Sequence, residues 1–196
     1  MMKDKMKRKA FTISEMMVCI GVIAALTALF MSVIRIKPNS NMVMFRKAYN
    51  IVSTTMYEIF QTAAYYEGAS LSDYSTPTSE VINGERPSGN TKFCKVFGHF
   101  VNTTDIPDCS TSTGPNFITT DGIAWYMPPN TTNGTFSSEE KIIVDVNGEN
   151  KPNCHEGETG CKHPDKFNIY ISGSGKLFVR DALAQQYLQN SRRISK

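Results

Sequence analysis

Hydrophobic residues follow three rhythms along this chain. From Phe11 to Ile34 almost every position is apolar, and Glu15 is the single charge. That run exceeds the roughly 20 residues needed to cross the hydrocarbon core of a bilayer. Arg35 and Lys37 close it, and Pro38 breaks or kinks a helix there. Asn39, Ser40 and Asn41 offer side-chain oxygens to cap a restart. From Met42, the positions Phe45, Ala48, Tyr49, Val52, Met56, Ile59, Phe60 and Ala63 recur at three- and four-residue steps, as on one helix face. Arg46, Lys47, Asn50, Ser53 and Thr54 take the opposite face, and Gly68 is the expected stop. Residues 11–66 are thus predicted to form one long N-terminal helix of about 84 Å, transmembrane at first and amphipathic after a kink near Pro38.

Residues 68–92 are rich in Ser, Thr, Gly, Pro and Asn and read as a surface loop. Beyond them the period becomes two. Asn116–Thr120 and Ile123–Met127 flank Asp121-Gly122, a hairpin signal. Lys141–Val146 reads as a strand ending at Asn147-Gly148. Lys166–Ser172 and Lys176–Arg180 flank Gly173-Ser174-Gly175, a second hairpin. Asp181 is placed to cap a final helix through Gln189. The predicted class is α+β, with the long helix packed on a small antiparallel sheet. The segments are residues 1–10, a transmembrane stretch over 11–34, an amphipathic helix over 35–67 and an exported globular domain over 68–196.

Charge sharpens this picture. The chain of 196 residues is formally +3, but residues 1–10 hold Lys3, Lys5, Lys7, Arg8 and Lys9 against Asp4. Without them the remainder is −1, so basicity gives no indication of nucleic acid as a partner. Lysine and arginine ahead of a span stay cytoplasmic, which sends the rest of the chain outward. In an oxidising compartment the four cysteines beyond Cys19 read as disulfides. Three connectivities are open. The sequence-local one, Cys94–Cys109 with Cys154–Cys161, is favoured, and closing a loop of roughly 15 residues is worth about 3 kcal/mol.

Candidate chemistry is sparse. Asp145-x-Asn147-Gly148 puts two oxygen donors on one side of a tight turn, as in the first half of an EF-hand loop. Glu156 stands where that loop's last ligand falls, although Glu149 and Asn150 break the pattern and no helix follows. Asp165 is a further carboxylate. Calcium is the functional reading, and plain Asn-Gly turn chemistry competes with it. Cys154-His155 with Cys161-x-His163 has poor spacing for zinc, and a disulfide is simpler. His99 stands alone, and Trp125-Tyr126 reads as core. Asn102, Asn130 and Asn133 open sequon-like triplets that read as polar loop residues. No nucleophile motif or phosphate loop is present, so no enzymatic activity is expected.

Lys9-Ala10-Phe11-Thr12-Ile13-Ser14-Glu15, ahead of an apolar helix, resembles the processing signal of type IV pilins and of type II secretion pseudopilins. The succession Asp145-Val146-Asn147-Gly148, Pro152-Asn153 and Asp165-Lys166-Phe167 is similar to the C-terminal pattern of many pilin-like proteins. The resemblance implies a cytoplasmic leader over residues 1–10, which a prepilin peptidase cleaves between Ala10 and Phe11, with N-methylation of Phe11. It implies that Glu15 pairs with the N-terminal amine of a neighbouring pilin subunit, which relieves the penalty of burying a lone carboxylate. The partners implied are homologous subunits, the peptidase, an inner-membrane assembly platform and, before assembly, membrane lipid. The place implied is the bacterial inner membrane, single-pass with a cytoplasmic N-terminus, then a pilus, a secretion pseudopilus or a DNA-uptake filament. Calcium-holding loops similar to Asp145–Asn147 occur among pseudopilins. Two departures stand out: Ala10 replaces the usual glycine, and Ser32 stands where the family often has proline. The competing reading is a membrane-anchored extracytoplasmic binding module that does not assemble.

Overall fold

Two units divide the chain, Met1–Pro38 and Asn39–Lys196. The computed structural model describes residues 13–34, 40–110, 113–128 and 139–189, with the side chains of the first stretch described through Thr27. The leader, the Ala10–Phe11 junction, Pro38 with its kink, and the Asn130 and Asn133 triplets lie outside those residues.

The first unit holds helix α1, Ile13–Ile34. Its described residues are apolar on all sides, and the Thr27 hydroxyl is returned to the backbone, donating to the carbonyls of Ile23 and Ala24. Ile13, Met16, Met17, Val18, Ile20, Val22, Ile23 and Leu26 are all exposed.

The expectation of one long transmembrane-then-amphipathic helix does not hold. Among the described residues, no helix is long and apolar enough to cross a membrane. The amphipathic part is a separate helix, α2, Ser40–Gln61, which begins the second unit. α2 also stops before the expected Gly68. Beyond Gln61, tertiary hydrogen bonds take over the backbone: Ser79 N–H donates to the Ala64 carbonyl at 2.8 Å, and the side chains of Tyr65 and Tyr66 turn into the core. Gly68 instead serves a 3-10 turn, with φ of +68°.

α2 buries the face that the spacing predicts: Phe45, Ala48, Val52, Met56 and Ile59, with Thr55. Its Phe45 ring lies 4.7 Å from that of Phe167. The region read as loop and strands also holds a helix, α3, Lys92–Phe100. Three anchors explain it. Phe93, Val96 and Phe97 are fully buried, and Phe97 packs on Trp125 with ring centroids 5.7 Å apart. Cys94 is joined to Cys109, with Cα atoms 5.7 Å apart. Lys92 is buried at the helix start, its ammonium donating to the Asp73 and Thr76 carbonyls and lying 4.3 Å from the Tyr66 ring centroid. Burial pulls the Lys92 pKa below its ordinary value, with Asp73 opposing.

Five antiparallel strands follow in sequential order: β1 Phe117–Ile118, β2 Ala124–Tyr126, β3 Glu139–Asp145, β4 Lys166–Ser172 and β5 Leu177–Phe178. The Asp121-Gly122 hairpin forms, with Gly122 at φ of +87° and its N–H donating to the Thr119 carbonyl. Phe117, Trp125, Val144 and Phe167 are register partners along one row of the core face. Tyr126, Ile143 and Asn168 make a row of the outer face. α4, Ala182–Gln189, buries Ala184 and Tyr187. The Asp181 carboxylate accepts from Asn168 N–H at 3.1 Å.

Candidate cation site

Strand parity puts Asp145 on the same outer face as Ile143, where a carboxylate belongs in water. Asp145 is nevertheless 0% exposed. The chain beyond β3 accounts for this. Gly148 N–H donates back to the Asp145 carbonyl, which closes the Asn147-Gly148 turn. Gly148 has φ of +69°, and a Cβ there would lie 2.7 Å from the Gly122 carbonyl oxygen, so only glycine lets this turn settle on the β1–β2 hairpin. Val146 N–H then donates to the Asp165 carbonyl at 2.9 Å, and Asp145 pairs across the sheet with Lys166.

Asp165 braces the returning chain. It is fully buried, and its two oxygens accept from Asn153 N–H at 2.9 Å and Cys154 N–H at 2.8 Å. The Cys154–Cys161 disulfide closes the next loop, with Cα atoms 6.0 Å apart. Two carboxamides are tied down by their nitrogens: Asn153 Nδ2 donates to the Glu149 carbonyl, and Asn147 Nδ2 reaches the Lys151 carbonyl at 3.4 Å.

That wiring leaves oxygens unmatched. Both carboxylate oxygens of Asp145 are buried with no close hydrogen-bond partner, Asn147 N–H and the Lys166 ammonium acting on them only at longer reach, and Asn147 Oδ1 and Asn153 Oδ1 are likewise unmatched. His155 Nδ1 is in the same condition. Buried polar atoms are seldom left this way, because each forfeits its hydration. The Lys166 ammonium stands 3.8 Å from Asp145 Oδ2, an ion pair longer than a good hydrogen bond. Burial pushes the Asp145 carboxyl up to about 6, the Asp165 charge adds to the rise, and Lys166 and the Asn147 N–H oppose it.

Asp145, Asn147 and Asp165 thus lie on one wired turn and its returning strand. Glu156 does not join them, because its carboxylate accepts Leu183 N–H at 2.9 Å in the first turn of α4. Asn153 was not expected as a donor, and its pairing with the Asp165 brace is what brings it here. The zinc reading loses its thiolates to the disulfide. Among the described residues, no group of three His, Cys, Asp or Glu side chains could hold a metal ion. The available donors are instead one unmatched carboxylate and two unmatched carboxamide oxygens, with Asp165 beside them. All are hard oxygen ligands of the kind calcium takes.

Glu15 lies in the first turn of α1, on its exposed surface, and the free Cys19 is exposed one turn on. Comparison with family models, curated proteins and solved structures finds no match to this chain.

Proposed function

We propose that the chain is a structural subunit of a type IV pilus-like or type II secretion pseudopilus filament. The observation that carries this reading is α1. Its described residues expose apolar side chains all round, while the second unit has a buried core of its own. A helix that is apolar on every side needs cover, and identical helices packed in a filament core supply it. A prepilin peptidase cleaves between Ala10 and Phe11 and methylates Phe11. Glu15 then meets the amine of a neighbouring copy, and each charge makes the other's burial tolerable.

In the same reading, calcium is held at the turn after β3 by Asp145, Asn147 and Asn153, with Asp165 bracing the loop. Its supporting observation is the set of buried oxygens without close hydrogen-bond partners.

Mass spectrometry of the mature chain tests processing: a methylated Phe11 supports it, and an N-terminus at Met1 overturns it. Glu15→Ala, expressed with the assembly machinery, is expected to leave processing intact and abolish filaments in electron micrographs. Normal filament numbers would refute the pairing, and a processed chain that remains single is the non-assembling binding module. For the ion, a melting temperature identical in excess calcium and in chelator counts against the site.

A further inference from the structure

We infer that Lys166 is the resident counter-ion of the Asp145 site, and that a bound divalent cation displaces its ammonium toward the Tyr126 ring. This rests on the calcium reading above and extends it to how the site is regulated.

Three observations carry it. The first is position. Lys166 is the cross-strand partner of Asp145, and its backbone N–H is fixed to the Cys154 carbonyl at 3.1 Å, so its side chain alone is free to swing. The second is distance. Lys47 touches Asp121 at 2.8 Å, whereas Lys166 stands off Asp145 Oδ2 at 3.8 Å and leaves both carboxylate oxygens without a close partner. The lysine neutralises the site without filling it. The third is a ring that already shares the ammonium with Asp145. The Lys166 ammonium already lies 5.1 Å from the centroid of Tyr126, a ring on the outer sheet face, and a cation is attracted to such a face.

An ammonium and a calcium ion cannot share one carboxylate without repulsion. Calcium therefore enters against Lys166, and its arrival turns that positive charge outward beside Tyr126. The site's affinity is held below what its oxygens alone would give, and occupancy is reported on the sheet surface.

The test is isothermal titration of calcium chloride into the full chain in detergent, together with melting curves in calcium and in chelator. Lys166→Met is expected to bind calcium about tenfold or more tighter, as expected when one positive charge is removed a few ångströms from a divalent ion. Its melting temperature falls in chelator and recovers in calcium, so the calcium-induced rise exceeds that of the wild type. Lys166→Gln, which keeps a polar head, gives the same direction and guards against a folding defect of the methionine variant. Lys166→Arg keeps wild-type affinity, and so does Lys141→Met, which removes a charge from the same sheet face. Calcium binding only after the lysine is removed overturns the displacement, because the native chain then never exchanges its ammonium for the ion. Binding by wild type and both neutral variants with equal affinity overturns it and leaves the calcium site standing. No binding by any of them overturns both.

Discussion

Replacing Asp145 by asparagine tests the site through its own energetics. The folded carboxyl holds its proton up to about pH 6, against an ordinary 3.8. A shift of about two units corresponds to roughly 3 kcal/mol. The folded pKa is raised, so the protonated carboxyl favours the fold. That contribution is full below pH 3.8 and is lost as pH rises through 6. At pH 7.5 the ionised, buried Asp145 weighs against the folded state by about 3 kcal/mol unless a cation answers it. Asp145→Asn removes the ionisation, and the amide introduces steric and hydrogen-bond changes of its own. Those changes do not vary with pH, so the informative quantity is a double difference. Urea unfolding in chelator, followed by the fluorescence of the single buried Trp125, gives the stability of variant minus wild type at pH 4.5 and at pH 7.5. That difference is expected to move in favour of the variant by roughly 2 kcal/mol between the two, or about 4–8 °C in melting temperature for a body of this size. At a hundred times its dissociation constant, calcium restores about 2.7 kcal/mol to the wild type and nothing to the variant. A difference independent of pH would refute the burial argument, and an undiminished calcium response in Asp145→Asn would remove this carboxylate from the site.

Two further predictions concern α3. Cys94→Ala with Cys109→Ala opens a loop spanning 15 positions and is expected to lower unfolding stability by about 3 kcal/mol; an unchanged urea midpoint would show that the packing of Phe93 and Phe97 holds α3 unaided. Lys92→Met leaves the Asp73 and Thr76 carbonyls without their donor and is expected to destabilise by about 2–4 kcal/mol. Hydrogen exchange should then speed up at the amides of loop residues 70–80 before the rest of the second unit. A uniform change across that unit would contradict the role of Lys92 as a local strap.

The sheet was legible because its signals are local. Asp121-Gly122 and Gly173-Ser174-Gly175 are turns whose chemistry needs no distant partner, and the alternation on either side fixes which residues face inward. α3 was not legible. Its nine residues, Lys92–Phe100, are too few to form a stable helix alone. They hold one because Lys92 reaches back to residues 73 and 76, Cys94 reaches forward to Cys109, and Phe97 finds Trp125. The turn after β3 was half legible for a similar reason. Asp-x-Asn-Gly names the turn and two donors. Counting forward then selects Glu156, yet Glu156 is drawn to a helix N-terminus 27 residues further on, and spacing alone cannot reveal that neighbour. Asn153 enters through Asp165, a carboxylate whose service to two backbone N–H groups is visible only once the loop has closed. Burial of Asp145 runs against its own strand parity and follows from the way the turn settles on Gly122.

Two of the places where the described chain leaves groups unsatisfied differ in kind, and each kind dictates its remedy. α1 exposes apolar surface, whose free energy falls on contact with any other apolar surface. That demand is unspecific, so a helix already apolar all round gains partner selectivity only from a charge such as Glu15, which rewards one placement of a neighbouring amine over the others. At the turn after β3 the unmet groups are oxygens, directional and partly anionic, and no apolar contact relieves them. Lys166 supplies charge there at 3.8 Å but no close hydrogen bond. A neutral molecule offers hydrogen bonds but no charge. A small divalent cation offers both terms at once, through short bonds to several oxygens. On the proposed reading, a second copy of the chain answers α1 and an ion answers the turn. The Glu15 and Asp145 substitutions separate the two, since each removes one demand and leaves the other in place.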